Sequence, residues 1–85
     1  MTRKLNPELQ AAILEAVENQ LEADDPPETR MTYERLLREG HSEEAARKFI
    51  GCVVASEVFE VMKQKRFFDP VRFVEALNRL PEIPE

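Results

Sequence analysis

Apolar side chains recur every three to four residues in four separate segments of the chain. In the first segment Leu9, Ala12, Ile13, Ala16, Val17 and Leu21 share one stripe, while Glu8, Glu15, Glu18 and Glu22 fill an arc opposite. In the second, Met31, Tyr33, Leu36 and Leu37 face inward, and Arg30, Glu34, Arg35 and Arg38 face water. The last carries Val71, Val74, Leu77 and Leu80, with Phe73 at the flank. The third departs from this pattern. Ala45, Ala46, Phe49, Ile50 and Val53 lie on one side, Val58, Phe59, Val61 and Met62 largely on the other, and Gly51 to Ala55 are apolar all round. A helix apolar on every side has neighbours on every side. The spacing predicts an all-α, four-helix single domain spanning 1–85, with helices at about 7–22, 26–39, 43–65 and 70–80 around a central third helix. Residues 1–5 and 81–85 are expected to be flexible termini.

Proline, glycine and short polar residues mark the ends. Asn6-Pro7, Asp25-Pro26 and Asp69-Pro70 each read as a cap followed by a proline, whose fixed φ suits the first turn. Asp25 and Glu28 are spaced for a capping box, each side chain bonding the other residue's backbone N–H. Gly40 is expected to close the second helix at positive φ, and Ser42 to cap the third. Lys63, Lys65 and Arg66 fall at the negative end of that third helix. Pro81 and Pro84 stop the last one. A glycine inside a helix costs roughly 1 kcal/mol relative to alanine. Gly51 therefore predicts that a neighbouring backbone comes close, and Gly51 with Ala55 makes a flat patch for a crossing helix or a second copy of the chain.

Composition narrows the class. With 42% apolar and 34% charged residues among 85, the chain reads as a folded single domain and not as a disordered segment. One cysteine, Cys52, and one histidine, His41, exclude an internal disulfide framework and a Cys/His zinc site. The basic start Met1-Thr2-Arg3-Lys4 leads into no apolar secretory stretch, and Phe49 to Ser56 is far too short to span a membrane. A cytoplasmic setting is the expectation.

Candidate chemistry is sparse. Seven acids and no base lie between Lys4 and Arg30, an arc that would attract a cation or be offset by bases from a neighbouring helix. Helical carboxylate metal centres use Glu-x-x-His pairs, which are absent here, and Glu57 with Glu60 has the spacing but no histidine. His41 falls in a turn with no nucleophile related to it, and Cys52 sits where apolar neighbours raise a thiol pKa. Gln10 and Gln20, on or beside the first stripe, are candidates for buried polar groups or for a subunit interface. Residues 31–50 have the outline of a helix-turn-helix, with Arg47 and Lys48 on its second helix. A net charge of −5 counts against a phosphate-binding face. Phe67 and Phe68, beside the basic cluster, are expected to plug the core.

Leu5-Asn6-Pro7-Glu8-Leu9-Gln10, Gln20-Leu21-Glu22-Ala23-Asp24-Asp25-Pro26-Pro27-Glu28 and Tyr33-Glu34-Arg35-Leu36 together resemble a small all-helical bacterial family of unknown function. Similar stretches continue through Gly40, Glu44-Ala45-Ala46-Arg47 and the segment 69–80. The resemblance implies a helical, bacterial, cytoplasmic protein and supplies no activity. That pattern has histidine where this chain has Gln10 and Arg47, so no metal role carried by those histidines transfers. The functional expectation is a non-catalytic protein-interaction or self-associating module, with no cofactor and no metal. The alternatives are a DNA-binding helix-turn-helix using Arg47 and Lys48, and a metal-binding acidic bundle.

Overall fold

The computed structural model describes residues 7–83, which form four helices: α1 (Pro7–Ala23), α2 (Pro27–Arg38), α3 (Glu43–Gln64) and α4 (Pro70–Arg79). The all-α four-helix expectation holds, and each boundary falls within a few residues of the one predicted. The expected cap Asn6, the tail proline Pro84 and residues 1–5 lie outside the described residues.

Helix ends form where local chemistry provides for them. Gly40, at φ +100°, closes α2 in a Schellman turn: His41 N–H donates to the Leu36 carbonyl at 3.1 Å and Gly40 N–H to Leu37 at 3.0 Å. The Ser42 hydroxyl accepts from Ala45 N–H at 3.0 Å, and the Asp69 carboxylate accepts from Val71 and Arg72 N–H at 3.1 and 3.4 Å.

The start of α2 differs from expectation. Its cap is Pro26, with no side-chain bond, and the Asp25–Glu28 capping box does not form. The reason lies in α1. Asp24 adopts φ +55°, and its N–H donates to the Leu21 carbonyl at 3.3 Å. Asp25 N–H goes to the Gln20 carbonyl at 3.1 Å. Closing α1 uses the donor that the capping box needed.

Only α2 and α3 touch every other helix; among the described residues α1 and α4 make no backbone contact with each other. The α2–α3 pair thus forms the middle, with α1 on one side and α4 on the other. At 1.5 Å per residue α3 is about 33 Å long, close to the full 35 Å extent of the molecule. The core comprises Val17 and Leu21 of α1, Leu36 of α2, Ala46, Ile50 and Val53 of α3, Phe73 and Leu77 of α4, and Leu80 just beyond it.

Several stripes are rotated from the predicted ones. On α2 the buried positions are Thr29, Thr32 and Leu36, and Met31 is 64% exposed. Thr29 can be buried because its hydroxyl donates to Gln20 Oε1 at 2.8 Å. On α4 Phe73 belongs to the core and Val71 is 67% exposed, and Ala12 on α1 faces outward. Gly51 is buried, yet no neighbouring backbone approaches it. A Cβ there would meet Ile13 Cγ2 at 3.5 Å and Leu14 Cδ2 at 3.7 Å, ordinary contacts with side chains of α1. The patch expected at Gly51 and Ala55 lies inside the fold.

Candidate interaction surface

Because the backbones of α1 and α4 stay apart, the face of α3 between them is only partly covered. A groove of about 310 Å³ occupies this gap. Val54, Val58, Val61 and Met62 of α3 form its floor, Gln20 of α1 stands on one side, and Phe68 and Phe73 on the other. The two rings support each other, tilted by 58° with centroids 5.5 Å apart. Phe68 therefore reaches toward the core only from the rim, and Phe67 is 94% exposed; neither plugs the core as expected.

The polar groups at this end are paired. Glu57, buried at the edge of the groove, accepts from Arg72 at 3.2 Å. Arg72 also lies 3.7 Å from Glu60, which pairs with Arg66 at 3.5 Å. The network ties the end of α3 to α4, and an uncompensated carboxylate beside so apolar a floor would be costly. No local signal marks Glu57 as buried, since its partner lies fifteen residues away. Gln20 keeps its carbonyl on Thr29. Gln10, its predicted companion, is exposed on α1.

Beyond Glu57 the helix has a neighbour on one side only, where Arg72 of α4 lies near Glu60. Val58, Phe59 and Met62 are exposed on its last two turns, Met62 by 68%, and Phe67 and Val71 continue the apolar surface past the end. The sequence reading of α3 as apolar all round is correct for composition. Internal helices bury side chains only along its first two-thirds.

The other candidates are engaged elsewhere. Arg47 pairs with Glu18 of α1 and lies 3.7 Å from Glu43, with its guanidinium 5.0 Å from the Tyr33 ring centre. The hydrogen bond to Glu18 raises the pKa of Arg47 further above its ordinary value. Lys48 pairs with Glu44 at 3.2 Å. Both bases of the helix-turn-helix alternative are thus committed to carboxylates of the same chain. The acid arc is offset in the same way, by Arg47 on Glu18 and by Arg30 on Asp24 at 3.4 Å. Among the described residues no three His, Cys, Asp or Glu side chains converge as metal ligands would. The His41 ring packs edge-on against Phe49 at 5.2 Å. Cys52 is a half-buried free thiol, and burial pushes its pKa up. No helix among the described residues is long and apolar enough to cross a membrane.

Comparison with protein-family models, with characterised proteins and with solved structures yields no match to this chain.

Proposed function

We propose that this chain is a non-catalytic protein-interaction module of the bacterial cytoplasm, and that the groove over α3 is its contact surface. One observation carries the reading: α3 has a partly uncovered apolar face between two helices whose backbones stay apart, and that face continues onto the exposed end of the helix. Contiguous exposed apolar surface of this kind on a small domain marks a contact site. The slot is bounded by helices on two sides and floored by a third, the form in which an apolar helical stripe is received. The free thiol of Cys52 and the resemblance to bacterial helical proteins support the setting.

The test is a titration of amphipathic helical peptides into isotope-labelled chain, followed by methyl NMR. Saturable shifts at Val54, Val58, Val61 and Met62, lost in a Val58→Lys variant, are expected. If no helical peptide moves these methyls and the chain also fails to bind itself there, the reading falls.

A further inference from the structure

We infer that the occupant of the groove is a second copy of this chain, bound about a two-fold axis so that Phe67 of each copy enters the groove of the other. The inference rests on the interaction reading above and specifies its partner. Phe67 is 94% exposed in the short connection between α3 and α4, next in sequence to Phe68 of the groove rim. An apolar projection and an apolar depression thus occupy the same end of one molecule. A two-fold contact satisfies both at once, because each patch of an isologous interface meets its own image.

Charge permits this partner. Residues 57–72 hold three acids and four bases, in a chain whose net charge is −5. Each of the three acids is satisfied internally: Glu57 by Arg72, Glu60 by Arg66 and Arg72, and Asp69 by the first turn of α4. Two copies meeting here bring no unpaired carboxylates together, and the exposed Lys63 and Lys65 have long flexible stems that let their charges stay in water at the rim. Area agrees as well. A stable two-fold contact takes about 800 Å² from each partner, and burying an aromatic side chain removes roughly 150–250 Å² from water. Phe67, Phe68, Met62 and Val71, each more than half exposed, supply much of that before their flanks are counted.

Sedimentation equilibrium of the full chain, from low to high micromolar concentration, tests the inference. A monomer–dimer equilibrium is expected, and Phe67→Asp should weaken it at least about tenfold, as loss of a central aromatic anchor does. Since Phe67 contributes nothing to the core, the variant should keep the denaturation midpoint that the wild type shows at concentrations where it is monomeric, so that loss of the dimer is not loss of the fold. In a mixed-label sample, NOEs should connect Phe67 ring protons of one copy to Val58 and Val61 methyls of the other. A chain that stays monomeric overturns the inference, and if a helical peptide still fills its groove the interaction reading survives. A dimer that Phe67→Asp leaves unchanged also overturns it, by placing the contact on another face.

Discussion

Arg35 of α2 donates from Nη1 to the carbonyl of Leu80, just past the end of α4, at 2.9 Å. Its Nη2 reaches the Leu77 carbonyl at 3.0 Å, which also accepts from Leu80 N–H, so one guanidinium bridges two carbonyls at the C-terminal end of α4. Arg30, one and a half turns earlier, does the same for α1 by donating to the Leu21 carbonyl. α1 has no base of its own in its last turn. The middle helix thus stabilises the negative ends of both outer helices, whose backbones make no contact with one another.

Arg35→Ala should cost about 1–3 kcal/mol in urea denaturation, since it removes charge-assisted bonds to two carbonyls. Arg35→Lys should recover less than half, because an ammonium cannot span both acceptors in one planar fork. Equal stability of the alanine variant and the wild type would show that the contacts are idle.

The two glycines should respond in opposite ways. Gly40→Ala forces a Cβ into the left-handed region at φ +100° and should cost about 1 kcal/mol. Gly51→Ala adds a methyl at contact distance from Ile13 and Leu14 and gains helix propensity, so it should be neutral or stabilising by up to about 1 kcal/mol. A large loss at Gly51 would restore the close backbone approach that its sequence position suggests.

On α4, Phe73→Ala should cost about 3–5 kcal/mol, the range for emptying a buried aromatic site. Val71→Ala should lie within about 0.5 kcal/mol of wild type. Calorimetry of the pair distinguishes the observed stripe from the predicted one, which had Val71 inward and Phe73 at the flank.

Stability should fall at alkaline pH through Cys52. Burial favours the neutral thiol, so its pKa is higher in the folded chain than in the unfolded one. The contribution is complete below the unfolded value, about 8.5, and is lost as pH rises from there through the folded value. Comparing unfolding midpoints of wild type and Cys52→Ala across that range isolates the contribution of the thiol. Parallel pH profiles would show that the thiol titrates alike in both states.

What the sequence revealed depended on how local the cause was. Gly40, Ser42 and Asp69 were legible because each cap is decided within a few residues of chain. Asp25 was misread although its spacing to Glu28 was right, because the competing bond came from the end of the preceding helix. The buried face of α2 was misread because Thr29 and Thr32 count as polar until a partner such as Gln20 is in place. Arg47 and Glu18, 29 positions apart, found each other only through the α1–α3 crossing. The groove had no sequence signature of its own. It arises from the separation of α1 and α4, and the all-round apolar character of α3 pointed to a need for neighbours without saying which would be missing.

Past Glu57 no side chain of α3 belongs to the buried core, and this has an evolutionary consequence. Val58, Phe59, Met62 and Phe67 can be exchanged one at a time while the caps and the buried cluster hold the rest of the chain in place. Partner choice can then drift or be re-engineered at that extremity almost independently of thermal robustness. A library randomised at those four positions should yield mostly foldable members, making the tip a natural starting point for selecting new binders.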